Sequence, residues 1–233
     1  MRPRRDLRFV YSFWTMVQLV LSPKTAYVRL GARYRHTSYR KQTKNTWARD
    51  DPAFVVLLAG LLAVITLGYS IAFGSGFFSA LTDLAVALGR DLVFFGCLAA
   101  TAGWLLGNRV LMRQALPSHA AEQSVEWMYA FDVHCNALLP LVLELLALQL
   151  VLSPILLLHT RLAAVLSSLL YALGVSHYLY ITFLGYSALP FLEHTEVFLY
   201  PISALVLLLP LAFLSGMNPT KIFLRLHFGY DSS

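Results

Sequence analysis

Read as runs of apolar and polar positions, the chain divides into five long apolar stretches and one short amphipathic one. The long runs cover about residues 53–73, 84–106, 137–158, 162–184 and 197–217. Each is close to the ~20 apolar residues that cross a bilayer as a helix. The pattern therefore predicts an all-α polytopic membrane protein with five transmembrane helices. Gly74-Ser75-Gly76 reads as a tight turn after the first run, and only His159, Thr160 and Arg161 separate the third run from the fourth, which predicts a close helical hairpin. Residues 108–135 make the longest internal loop. Within it the stretch 126–136 is too polar to span and too aromatic for plain linker. Pro140 lies near the start of the third run, and Pro210 predicts a bend in the fifth.

The short stretch covers about residues 9–21. Phe9, Phe13, Met16, Val17 and Val20 recur at i, i+4, i+7, i+8 and i+11, with Tyr11, Thr15, Gln18 and Ser22 opposite. Such a helix would lie in the headgroup plane or against the bundle and end at Pro23. A signal peptide fits less well: Ser12, Thr15 and Gln18 interrupt the run, no small-x-small cleavage site follows, and a basic arm would have to be translocated. The expected organisation is a basic arm over residues 1–52, a membrane domain over 53–217 and a tail over 218–233. Ile222, Phe223, Leu226 and Tyr230 would let that tail lie along the membrane surface.

Composition agrees with the membrane class: 58% of residues are hydrophobic and 13% charged, about half the charge of a soluble domain. The net charge of +6 conceals an asymmetry. Residues 1–52 hold twelve Lys and Arg against three Asp, hence +9, and residues 53–233 hold six against nine acids, hence −3. Basic residues beside a first span remain on the cytosolic side, so the amino terminus is expected in the cytosol and, after five crossings, the carboxy terminus in the lumen. The basic arm, with Tyr27, Tyr34 and Tyr39 interleaved, suits the anionic cytosolic leaflet. Binding of RNA through phosphate contacts and stacking is the alternative, with no recognised RNA-binding fold beside it. At the end of the arm Asp50 and Asp51 can cap a helix that accepts Pro52 in its first turn, with Trp47 at interfacial depth.

Candidate chemistry is sparse. Arg90, Asp91, Glu144, Gln149 and His177 fall inside apolar runs, where ionisable groups normally turn inward and find partners. Adjacent residues diverge by about 100° on a helix, so Arg90 and Asp91 need not pair with each other. Asp91, Glu144 and His177 could line a lipid- or ion-handling path. Gly96, Ala100, Gly103 and Gly107 form a small-residue stripe that admits a neighbouring helix. Asp132 and His134 diverge too far on a helix to ligate one metal without further donors. Cys97 and Cys135 read as packing thiols. No cofactor is expected, and no nucleophile–base pair suggests an enzyme.

Three polar-aromatic blocks carry a resemblance. The first is Tyr39-Arg40-Lys41-Gln42-Thr43-Lys44 followed by Trp47-Ala48-Arg49-Asp50-Asp51-Pro52-Ala53-Phe54. The second is Glu126-Trp127, then Tyr129-Ala130-Phe131-Asp132-Val133-His134 and Asn136-Ala137. The third runs Thr182-Phe183-Leu184-Gly185-Tyr186-Ser187-Ala188-Leu189-Pro190-Phe191-Leu192, with Leu199-Tyr200-Pro201 beyond it. With Ser22-Pro23, Asp91 and Gln149, these blocks make the chain resemble the Unc-fifty family of Golgi multi-pass proteins over about residues 10–217. Arg90 and Glu144 depart from the family pattern. The resemblance implies a Golgi or early secretory location, five spans, a cytosolic amino terminus and a role in vesicle traffic. It further implies partnership with Arf guanine-nucleotide exchange factors, a part in receptor assembly or surface delivery, and an RNA-binding property that only the basic arm could support.

Each block sits at a cytosolic end of a predicted span, so the three should converge. The expected docking surface comprises Tyr39, Arg40, Lys41, Lys44, Trp47, Arg49, Asp50 and Asp51 from the first block, and Glu126, Trp127, Tyr129, Asp132, His134 and Asn136 from the second. Tyr186, Ser187 and Pro190 complete it. Glu122, Glu126 and Asp132 make the central loop acidic, a contrast that would let it dock against the basic arm.

Overall fold

Five helices long and apolar enough to cross a membrane form the body of the protein. A computed structural model describes residues 46–48, 53–113 and 123–230. Helix α1 is Ala53–Ala72, α2 Phe77–Arg109, α3 Trp127–Leu156, α4 Arg161–Ser187 and α5 Thr195–Ser215. A short α6, Pro219–Phe228, follows. Among the described residues there is no strand beyond one antiparallel bridge, Met112 to Leu192. The protein is all-α, as the apolar runs predict.

Local chemistry sets the boundaries. Gly74, at φ 69°, makes the turn between α1 and α2, a left-handed conformation open to glycine without strain. Thr160 caps α4 by accepting the Ala163 N–H at 3.2 Å. Gly216, at φ 65°, closes α5. Asn218 then caps α6 through the Lys221 N–H, and its own amide donates to the Leu156 carbonyl at 2.7 Å. Two helices widen part-way along, α2 over Val86–Phe94 and α3 over Val142–Leu148, where the ladder takes the π form. Wider turns of this kind offset side chains and often accompany functional sites.

Helix α3 is central, packed between α2 and α4, while α5 rests on α4. Val206, Leu207, Leu211 and Leu214 of α5 are exposed on its outer side. One core joins α1, the wide part of α2, α3 and α6 through Leu58, Leu62, Tyr69, Leu92, Leu139 and Leu224. A second gathers at one end of the bundle around Trp47, Leu111, Val125, Tyr129, Tyr186 and Leu189. That end is called the cap here, and the opposite one the tail end.

Two expectations are revised and a third gains detail. Helix α3 starts at Trp127, so the polar-aromatic stretch expected as loop is its first three turns. Helix α2 starts at Phe77, because nothing between Phe77 and Leu84 breaks a helix. One face of the tail enters the bundle, where Thr220 and Leu224 are fully buried, while Ile222 and Leu226 are exposed. Thr220 exchanges hydrogen bonds with Ser167 at 2.8 Å and donates to Gln149 at 3.3 Å. Gln149 in turn donates to the Tyr69 hydroxyl at 3.1 Å, and that hydroxyl donates to the Leu146 carbonyl in the wide part of α3 at 2.9 Å. Four helices are thus tied by one buried polar chain, which supplies what an apolar surface position could not.

Candidate functional site

The described parts of the three blocks meet at the cap. Glu126, at the start of α3, receives the Trp47 N–H on both carboxylate oxygens at 3.0 Å and the Ala48 N–H at 3.1 Å. Hydrogen bonds from amides to an ionised carboxylate are stronger than neutral ones, so the chain leading into α1 is held against α3. The expected meeting of acidic loop and basic arm therefore occurs at Trp47 and Ala48 through backbone amides. Trp47 packs on Phe191 with ring centroids 5.5 Å apart.

The third block closes over the second. Tyr129 donates to the Gly185 carbonyl at 2.6 Å, and Tyr186 stacks on Phe198 at 4.4 Å. Trp127 donates its indole N–H to Thr101 at 3.0 Å and stacks on Phe131 at 5.6 Å. The glycine stripe of α2 explains the close approach. A Cβ on Gly103 would overlap the Tyr186 hydroxyl, one on Gly107 would press on Val125, and one on Gly96 would press on His134. Asn108 clamps Val125 with two hydrogen bonds, 2.8 and 3.0 Å. Beyond the helix ends, the Glu193 N–H reaches the Leu111 carbonyl at 2.8 Å and the Arg113 N–H the Phe191 carbonyl at 3.0 Å. An exposed Arg113–Glu193 ion pair of 2.7 Å runs alongside.

Convergence is thus observed, but the side chains face inward. Trp47, Tyr129, His134, Asn136 and Tyr186 are buried, Glu126, Trp127 and Asp132 are half-buried, and only Ser187 and Pro190 of this group are exposed. Among the described residues the cap's outward side chains include Met128, Ser187, Pro190 and the Arg113–Glu193 pair, while Trp47, Tyr129 and Tyr186 serve as its packing. Tyr39, Arg40, Lys41, Lys44, Arg49, Asp50 and Asp51 lie outside the described residues, as does the 9–21 stretch. Sequence reasoning passed over Thr101, Val125 and Phe198. Their contribution is to receive or pack the block residues, and no pattern in the chain advertises that.

The intramembrane polar residues divide into three places. Glu144 and His177 pair across α3 and α4, Oε1 to Nδ1 2.6 Å. Gln149 belongs to the buried chain at the tail end. Arg90 and Asp91 do pair, at 2.7 Å, because the flexible guanidinium arm reaches back across the angle between neighbours. Asp91 also lies 3.9 Å from His227 of α6. Asp91, but neither Glu144 nor His177, lines a cavity of about 520 Å3 between α1, α2, α3, α4 and α6. His134 lines the same cavity, with Nδ1 2.9 Å from the Tyr178 hydroxyl. Its Nε2 is buried with no hydrogen-bond partner among the described residues. Among those residues no cluster of three His, Cys, Asp or Glu suited to a metal occurs.

The family model described as the UNC-50 family matches residues 1–228. The chain belongs to the UNC-50 family. A Dictyostelium discoideum relative named "Protein unc-50 homolog" is 44% identical over 230 residues, which cover 98% of this chain and 84% of the relative. A Homo sapiens protein of the same name is 40% identical over 217 residues, covering 93% and 80%, and a Bos taurus one gives the same identity and coverage. No solved structure matches the chain. In this UNC-50 family protein the described parts of the three blocks that carried the resemblance, Trp47 and Ala48 of the first among them, pack together at the cap.

Proposed function

We propose that this UNC-50 family protein resides in Golgi or early secretory membrane, amino terminus cytosolic, and acts in vesicle traffic as a docking partner for Arf guanine-nucleotide exchange factors. On this reading it also aids receptor assembly or surface delivery, by recruitment and without chemical transformation of a substrate. The observation that carries the reading is the Glu126 carboxylate holding the Trp47 and Ala48 amides. It anchors the root of the arm that holds Arg40, Lys41 and Lys44 to a packed cap, so a soluble factor bound to the arm is fixed to the membrane body. Anionic lipid at the cytosolic leaflet would help lay the arm along the surface, at about 1 kcal/mol per nearby basic residue. The inward-facing aromatic groups make the cap a rigid base, and the partner contacts belong to the arm, to Ser187 and to Pro190.

The test replaces Arg40, Lys41 and Lys44 together with Glu. The exchange factor should leave Golgi membranes while the variant stays inserted and folded. Unchanged recruitment would remove the arm as the contact. If the variant lost bound RNA from cells and kept recruitment, the arm would be an RNA-binding element instead.

A further inference from the structure

The cavity between α1, α2, α3, α4 and α6 runs beside α2 from Asp83 to Ala102, about 28 Å at 1.5 Å per residue. That is close to the ~30 Å thickness of a hydrocarbon core. Most of its wall is apolar, with Leu62, Ile65, Leu138, Leu145 and Val175 among the lining. Phe95 and Leu98 also line it and are 48% and 57% exposed, so the space opens sideways to the surroundings of the bundle. Its charged groups are unbalanced. Asp83 and Asp91 stand in the wall, together with His134 and His227, while among the described residues no lysine or arginine lines it. Arg90 pairs with Asp91 from outside, its side chain 43% exposed. Asp83 accepts a hydrogen bond from the Ser70 hydroxyl at 3.2 Å, and no cation lies within ion-pair distance of Asp83 among the described residues. Asp83 sits about 9 Å along α2 from its first residue, near the tail end, where Phe223, His227 and Phe228 of α6 close the space.

We infer that this cavity is a binding site for a membrane lipid with a primary ammonium headgroup, its acyl chain along α2 and its ammonium against Asp83. An ammonium donates three hydrogen bonds, and the carboxylates of Asp83 and Asp91 supply acceptors in a wall that lacks a lysine or arginine. An anionic headgroup would face two carboxylates, and a choline headgroup would bring charge but no N–H. Burial disfavours the charged form of His227, with Asp91 opposing, Arg90 reinforcing, and the Phe223 carbonyl and Asp83 opposing. The imidazole therefore does not supply the missing positive charge. The site does not depend on recruitment at the cap.

The full-length protein in nanodiscs of equal phosphatidylethanolamine, phosphatidylcholine and phosphatidylglycerol, all with the same acyl chains, would be released and weighed by native mass spectrometry. Retained lipid should be enriched about tenfold in the ethanolamine form. Asp83→Asn should bring that ratio near parity without altering the melting temperature. Ala99→Phe, which fills the cavity, should reduce all retained lipid about tenfold. Should Ala99→Phe fail to fold, the Asp83→Asn ratio alone decides. Retention in the bath ratio by the wild type, enrichment that survives Asp83→Asn, or displacement of the lipid by an equal concentration of a free polyamine would each overturn the assignment.

Discussion

The cap and the cavity are built from the same kinds of residue and treat them in opposite ways. At the cap, α2 presents glycines, and its neighbours fill the space so fully that a Cβ on Gly103 would meet the Tyr186 hydroxyl. On another face of the same helix, within about one turn of Gly103, Ala99 and Ala102 border about 520 Å3 that the protein does not fill. Polar groups follow the same division. Tyr129, Trp127, Asn108 and Glu126 each have a defined partner at the cap, whereas Asp83 in the cavity wall accepts from the Ser70 hydroxyl and meets no cation among the described residues. Small residues on a membrane helix therefore do not by themselves announce close packing. What the facing helix carries decides whether they receive a side chain or leave room.

Truncation should separate the regions most strongly. Tyr186→Ala removes a fully buried ring from the cap and should cost about 3–5 kcal/mol, in the range of large core truncations. Thermal unfolding in detergent would show it as the largest loss. Added volume gives the next contrast. Gly103→Val should lower stability by about 1–3 kcal/mol through overpacking, while the larger change Ala99→Phe should cost less than about 1 kcal/mol because it enters open space. Equal costs would mean the two faces of α2 are packed alike. Glu126→Ala should cost about 1–3 kcal/mol, the penalty for leaving buried donors without an acceptor. Hydrogen exchange at the Trp47 and Ala48 amides should accelerate in step, with no change at Thr220.

The smallest effect concerns pH. His227 in α6 is held below its ordinary pKa chiefly by burial, so the folded tail binds fewer protons than the unfolded one. Stability of α6 is complete above the ordinary histidine value near 6.5 and declines as pH falls below it. Exchange protection of Leu224 should therefore weaken between about pH 7 and 5, and His227→Phe should flatten that dependence.

Much of this arrangement was legible in the chain. Five apolar runs specified the five helices, and the recurrence of Gly96, Ala100, Gly103 and Gly107 marked the face on which α3 and Tyr186 settle. The stretch from Trp127 to Asn136 was not legible as helix. Hydropathy counts polar atoms without regard to partners, and here Tyr129 is answered by a carbonyl of α4 and Trp127 by a hydroxyl of α2. The inner face of the tail was hidden for a related reason. Leu226 and Ile222 suit a surface helix and are exposed, yet Thr220 is bonded to Gln149 and Ser167 and Leu224 joins the core of α1 and α3. Gathering the polar-aromatic blocks in one place was foreseeable from span count, but their inward direction was not, because the number of neighbours around Trp47 or Tyr186 is a property of the folded chain alone.

One dimension of the bundle bears on where such a molecule can reside. Helix α1 has 20 residues and α2 has 33, about 30 Å and 49 Å at 1.5 Å per residue. A hydrocarbon slab of about 30 Å matches the first and falls well short of the second, so α2 must slant or overhang. An overhang at the cap end would carry Gly103, Gly107 and Asn108 and lift the junction with Trp47 away from the acyl chains. In a thicker sheet of lipid that clearance would shrink, and the molecule would act as its own gauge of the compartment around it.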